Sequence, residues 1–292
     1  MPPPPATLVA PETAPHPSGV RGKSLVLDGR PKIVGILNVT PDSFYDGGRH
    51  QGPAAAIDRA EQMEAEGAAV IDVGGQSTRP GHDEISAEEE IRRVVPVIAA
   101  LAGRLGIPLS IDTHKPAVAR AAVEAGADLI NDVWGFHGDP GLSEIAAQNG
   151  CGVILMHQEA AFAASPDATM ERIAAFLARA IERALAAGVP RGRIILDPGI
   201  GFAKTPAQNL EILARIGELR RLGCPLLLGA SRKSIIGRVL DQPPEERLVG
   251  TLATTAIAVW QGVEFLRVHD VRANLQAALM AAAVRAAAPL PA

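Results

Sequence analysis

Short, wholly apolar runs recur along the chain from Lys32, each followed by a longer Ala-rich amphipathic stretch. Runs with no alternating polar position suit strands covered on both faces, as in a parallel sheet flanked by helices. The pattern predicts strands at Ile33–Leu37, Ala69–Val73, Leu109–Ile111, Leu129–Asn131, Gly152–Met156, Ile194–Leu196, Leu226–Gly229 and Phe265–Val268. Helices are expected between and after them at 53–66, 87–102, 116–125, 140–149, 169–187, 207–221, 247–261 and 272–287. Pro116 suits a first turn, Asp139-Pro140 is a start signal, and Gly67, Gly126 and Gly188 follow periodic segments as stops. Eight β units, each followed by α, over about 255 residues match the size of a single (β/α)₈ TIM barrel. A doubly wound open sheet is the rival, but it usually has fewer strands. No Gly-rich dinucleotide fingerprint follows the first strand.

Composition narrows the class. Aromatic residues are 3% of the 292-residue chain, so the core must rest on Ala, Val, Ile and Leu. The net charge of −4 comes with no basic stripe, which argues against a nucleic-acid partner. No run of about 20 apolar residues is present, so no membrane span is expected. The N-terminus has neither a cationic start nor an apolar segment of signal-peptide type. Cys151 and Cys224 lie at the starts of apolar runs with no pairing motif, which suits a reducing, cytoplasmic setting. Pro2 to Pro5, Pro11, Pro15 and Pro17 mark residues 1–22 as a disordered, extended Pro-rich tail, leaving a barrel domain at 23–288.

In a barrel the functional groups sit at the C-terminal strand ends. Here those ends carry Asn38, Asp112, Asn131-Asp132, His157, Asp197, Ser231-Arg232-Lys233-Ser234 and Arg267-Val268-His269-Asp270. One Asp after a strand is more often a cap or turn former. A full set of carboxylates, amides and cations on one rim is harder to explain that way. Arg267 and His269 are two apart, so they share a side of their strand, an arrangement that suits an anion. Two loops, Asn38–Gly48 and Gly74–Gly81, are polar, glycine-rich and lid-like in composition.

These segments resemble the dihydropteroate synthases. The likeness runs from about residue 32 to 285 and rests on Ile36–Phe44, Gly74–Gly81, Ser110–Thr113, Ile130–Val133, Leu196–Phe202, Ser231–Ser234 and Arg267–Asp270, in order and register. It implies a (β/α)₈ barrel that joins 6-hydroxymethyl-7,8-dihydropterin diphosphate to 4-aminobenzoate, giving 7,8-dihydropteroate and pyrophosphate. It further implies that Asp112, Asn131, Asp197 and Lys233 hold the pterin, and that Asn38, Arg267 and His269 hold the diphosphate. Asn38 would also ligate Mg²⁺. Phe44, Thr78, Arg79, Pro80 and Ser234 would form the 4-aminobenzoate pocket. Asp112, Lys233, Arg267 and Asp46 would carry the chemistry, and the enzyme would be a homodimer.

The chain departs from the family pattern at Gln158-Glu159-Ala160 after Met156-His157, which leaves open the shape of this fifth loop and the role of His157. Milder departures are Gln76 for Glu, Tyr45 for a small polar residue, Ala203 for Gly and Gln208 for His. A pterin-dependent methyltransferase domain would share the barrel but not the Thr78-Arg79-Pro80 and Ser231–Ser234 segments. A non-catalytic pterin-binding paralogue would bind without releasing pyrophosphate. Lys233 as a Schiff-base lysine would need an apolar pocket that depresses its pKa, and Arg232 beside it argues against one.

Overall fold

The computed structural model describes residues 19–20, 23–39, 45–46, 49–50, 52–76, 84–165 and 167–288. Most of the segment expected as a tail therefore lies outside the described residues. Eight parallel strands run β1 (Lys32–Asn38), β2 (Val70–Gly74), β3 (Leu109–Asp112), β4 (Leu129–Asp132), β5 (Gly152–Met156), β6 (Ile194–Asp197), β7 (Leu227–Leu228) and β8 (Phe265–Val268). Their order around the sheet is β6-β5-β4-β3-β2-β1-β8-β7. A parallel bridge between Leu196 and Leu226, with Leu196 N–H donating 2.9 Å to the Pro225 carbonyl, joins β6 to the start of β7. The sheet thus closes into the expected (β/α)₈ barrel.

Nine helices among the described residues surround it: α1 (Gly52–Ala65), α2 (Ala87–Ala102), α3 (Pro116–Ala125), α4 (Gly141–Asn149), α5 (Thr169–Ala187), α6 (Pro206–Arg215), α7 (Ser234–Leu240), α8 (Leu248–Trp260) and α9 (Val271–Ala287). Local signals explain the ends. Ser86 accepts from Glu89 N–H at the start of α2, and Thr205 with Gln208 forms a capping box on α6. Gly126 ends α3 with φ at +116°, a conformation that an L side chain would strain.

Three expectations are corrected. The helix expected at 207–221 is α only to Arg215 and continues as a 3₁₀ turn over Ile216–Leu222. The seventh strand is reduced to Leu227–Leu228. Short α7 follows it unannounced, because seven residues show too little periodicity to stand out.

The core has two parts. Outside the barrel, the helices cover the outward faces of the strands, including the fully buried Ile33, Ile71, Leu109, Ile111 and Ile130. Inside, the lower layer is Val34, Val70, Leu129, Ile154, Ile195, Leu227 and Phe265, plugged from below by Leu25. Lys23 fastens that plug by donating to the Ile107 carbonyl at 3.1 Å and pairing with Asp128 at 3.4 Å. Burial of each large side chain contributes about 1.5–3 kcal/mol, and truncating Phe265 to Ala would cost about 3–5 kcal/mol. Two residues further along β2, β4, β6 and β8 the same inward-facing positions turn polar, to Asp72, Asn131, Asp197 and Arg267. That switch from apolar to charged defines the mouth.

Candidate active site at the barrel mouth

Inward positions alternate along a strand, so Asp72 lies two residues above Val70, Asp112 three strands' width from Arg267, and Asn131 two above Leu129. Arg267 of β8 reaches back across the barrel. Its Nε donates to Asp72 Oδ2 at 2.6 Å and its Nη2 to Asp112 Oδ2 at 2.7 Å. Burial alone would lower the guanidinium pKa, but Asp72 and Asp112 raise it, so the group stays charged. Burial lifts Asp112 well above the usual carboxylate range, Arg267 pulls it back, and the negative Asp72 adds to the rise. Asp112 Oδ1 is buried and has no hydrogen-bond partner among the described residues. An acceptor left this way is costly without a ligand.

On the far side, Asp197 ends β6 and accepts from Gly199 N–H at 2.7 Å. Burial raises its pKa, and the charge of Lys233 is the main opposing influence. Lys233, at the start of α7, donates to the Ile200 carbonyl and sits 4.5 Å above the Phe202 ring. Burial pushes its pKa down to about 8 against the attraction of Asp197. Arg232 is engaged elsewhere, in a two-point pair with Asp270 at 3.0 and 2.7 Å.

His269 directly follows β8, with Nδ1 2.9 Å from Ser231 Oγ, which ties the β7 loop to the end of β8. Asn38 ends β1. A side chain on Gly74 would meet Asn38 Oδ1 and Asp112 Cβ, each at 3.8 Å, so these two residues flank one gap above Gly74. Ser234 is exposed in the first turn of α7. Phe44, Thr78, Arg79 and Pro80 lie outside the described residues. Asp46 is described only as backbone, paired with Arg49 in a short antiparallel turn.

The structure thus brings Asp112, Asn131, Asp197, Lys233 and Arg267 together, with Asn38 beside Asp112. Arg267 differs from its expectation. It is held inside the barrel by two carboxylates rather than presented on the rim as a pair with His269.

Two residues escaped the sequence reading. Asp72 sits inside an apolar strand rather than at its end. The signal available was the charge itself, since a buried carboxylate needs a cation. Lys204 donates to the carbonyls of His157 (3.2 Å) and Phe202 (3.1 Å), bridging the loops after β5 and β6. Burial lowers its pKa to about 7 despite Asp197.

The fifth loop takes a packed form. Phe162 is fully buried, and its carbonyl accepts from both Arg172 and Gln208 at 3.3 Å. His157 is fully buried edge-on to Phe162 and Phe176. Its ring nitrogens have no hydrogen-bond partner among the described residues, and burial pushes its pKa down to about 2. It is a neutral packing residue set among aromatic rings.

A closed barrel with carboxylates, an amide and an ammonium converging on its mouth is the frame of a pterin-binding enzyme, and that family's profile matches residues 34–269. Dihydropteroate synthase of Clostridium beijerinckii is 47% identical over 267 residues, covering 89% of this chain and 97% of that protein. The Escherichia coli K12 dihydropteroate synthase is 44% identical over 262 residues, 88% and 92% of the two chains. The Xanthomonas albilineans dihydropteroate synthase solved with 4-aminobenzoic acid superposes with a TM-score of 0.87 at 43% identity, over 91% of this chain and 97% of that one. This chain belongs to the dihydropteroate synthase family. No helix among the described residues is long and apolar enough to cross a membrane.

Proposed function

We propose that this chain condenses 6-hydroxymethyl-7,8-dihydropterin diphosphate with 4-aminobenzoate, yielding 7,8-dihydropteroate and pyrophosphate for folate biosynthesis. The observation that carries the reading is the convergence of Asp112, Asn131, Asp197 and Lys233 on one mouth. The chain is similar to a synthase solved with 7,8-dihydropteroate, with a TM-score of 0.84 and 41% identity.

The donor pattern of the pterin suits these groups. Its amino and ring N–H groups match the carboxylates Asp112 and Asp197, and its carbonyl and ring nitrogens match the Lys233 ammonium. The orphaned Asp112 Oδ1 supports a ligand N–H at that point. Arg267, His269 and Asn38 are assigned to the diphosphate. Phe44, Thr78, Arg79, Pro80 and Ser234 are assigned to 4-aminobenzoate, with Asp46 of the first loop as a further contact.

In the reaction the methylene C–O bond breaks, the aryl nitrogen forms a C–N bond to that carbon, and the nitrogen loses a proton. Pterin electrons stabilise positive charge on the methylene, so cleavage can run ahead of attack. Asp112 and Asp197 stabilise the ring as it becomes positive, and Arg267 and His269 stabilise the departing diphosphate. Mg²⁺ fits this mouth through Asn38 Oδ1. It favours hard oxygen donors and one or two protein ligands, with the remaining positions filled by substrate phosphate and water. When bound it would supply further charge stabilisation to the leaving group.

A homodimer is the assembly this reading favours. Val249, Ile257 and Trp260 on α8, with Leu279, Met280 and Val284 on α9, are exposed large apolar side chains on two adjoining helices, which supports a buried partner face. The buried Cys151 and Cys224 support a reducing, cytoplasmic setting.

The test is pyrophosphate release by the purified protein, with pterin diphosphate, Mg²⁺ and 4-aminobenzoate each omitted in turn. Release that requires all three, with 7,8-dihydropteroate formed, is the expected result. Saturable binding of the diphosphate with no turnover would point instead to a non-catalytic paralogue.

A further inference from the structure

Asp72 lies in the middle of β2, fully buried, on a strand whose other residues are apolar or glycine. A strand serving only the core would hold an apolar residue there. Replacing a buried ion pair by well-packed hydrophobic groups is often neutral or stabilising, so a carboxylate at this depth points to a requirement other than stability. Its bonds show what it does. A single oxygen, Oδ2, accepts from Arg267 Nε at 2.6 Å and from Asn131 Nδ2 at 3.0 Å.

Both neighbours are groups assigned above to substrate. A carboxylate can only accept, so Asn131 must turn its NH₂ to Asp72 and present its carbonyl oxygen elsewhere. The same oxygen, together with Asp112, fixes the plane of the Arg267 guanidinium from two sides. We infer that Asp72 is a positioning residue for the pterin diphosphate: it sets which end of the Asn131 amide faces the ligand and the plane in which Arg267 meets it. The inference rests on the proposed function, because it acts only through those two residues.

The test compares wild type, Asp72→Asn, Arg267→Met, Asn131→Ala and the double variant Asp72→Asn/Arg267→Met. Initial rates are measured while each substrate is varied, and binding of 6-hydroxymethylpterin is measured by titration. Asp72→Asn is expected to raise KM for the pterin diphosphate and weaken 6-hydroxymethylpterin binding, each roughly tenfold to a hundredfold. KM for 4-aminobenzoate should stay within about twofold of wild type. In the double variant the loss from Asp72→Asn should be much smaller than in wild type, because one of its two targets is already gone.

A lower kcat with both KM values and pterin binding unchanged would make Asp72 merely structural and overturn the inference. Full additivity in the double variant would overturn it as well. If Asp72→Asn does not fold, Asp72→Ser, which is smaller and uncharged, is measured in the same way. If Arg267→Met and Asn131→Ala themselves bind and turn over like wild type, the site assignment has failed. If they are impaired and Asp72→Asn is not, only the present inference has failed.

Discussion

Replacement of Lys233 by Met should cost activity and gain stability, and the two magnitudes follow from one burial. The amine is pressed from 10.5 to about 8 by desolvation, against the pull of Asp197. At about 1.36 kcal/mol per unit, holding it charged at neutral pH costs the fold about 3 kcal/mol. Partial solvent access and the lost bond to the Ile200 carbonyl, worth about 1 kcal/mol, reduce the expected gain to about 2 kcal/mol. The sign with pH is definite. Between about 8 and 10.5 the unfolded chain binds a proton at this site that the folded chain does not, so wild-type stability rises through that window. Below about 8 the penalty is fully present. Lys233→Met should therefore melt a few degrees higher at pH 7 and lack the alkaline rise.

Activity should move the other way, with kcat/KM for the pterin diphosphate falling on the order of 10²–10³. The wild-type profile of kcat/KM should decline as pH rises through about 8, where the free enzyme loses the Lys233 charge. In the variant that decline should vanish. Its acid limb should shift to higher pH, because Asp197 loses the main cation opposing its raised pKa. Initial rates of pyrophosphate release from roughly pH 5.5 to 9.5, with thermal melts in the same buffers, measure both. An alkaline limb near 8 that persists in Lys233→Met, or near-wild-type kinetics, would refute the assignment.

Chelation of Mg²⁺ should abolish turnover, and Asn38→Ala should raise the Mg²⁺ concentration needed for half-maximal rate by about tenfold or more. An unchanged requirement would remove Asn38 from the metal site. His157→Phe keeps the aromatic packing and removes two nitrogens that have no hydrogen-bond partner among the described residues, so stability should hold or rise by about 1 kcal/mol, with kinetics unaltered. A large loss of kcat/KM at normal stability would contradict the packing role. Met280→Glu on α9 should weaken self-association seen by sedimentation, with little change if that face is free in solution.

The barrel was legible because its signal is long-range and redundant. Eight apolar runs and their helices agree with one another, so errors at single boundaries do not change the topology. The site was legible only where strands end, since a polar residue after an apolar run stands out. Asp72 did not stand out, because one letter in Val70-Ile71-Asp72-Val73-Gly74 carries no period, and its partners lie 59 and 195 residues away. Lys204 was hidden for a related reason. Its ties are to main-chain carbonyls of His157 and Phe202, which any sequence could supply. The carboxylate partners of Arg267 were not legible, because the pattern fixes which side of a strand a side chain leaves from and says nothing about its reach.

That reach bears on how a diphosphate can be held here. The inner mouth carries three buried carboxylates, Asp72, Asp112 and Asp197, against the cations Arg267, Lys233 and Lys204. Burial depresses two of those cations, to about 7 and about 8, and raises the carboxylates Asp112 and Asp197, so charge of both signs is weakened together. An entering diphosphate would add several negative charges to a nearly balanced cage, a cost that grows as water is excluded. Under the proposed function the diphosphate would therefore draw on positive charge beyond that of Arg267 and His269. A divalent cation bound to the diphosphate meets that need without protonating any residue, and Asn38, the neutral oxygen donor beside Asp112, can engage it without adding another charge.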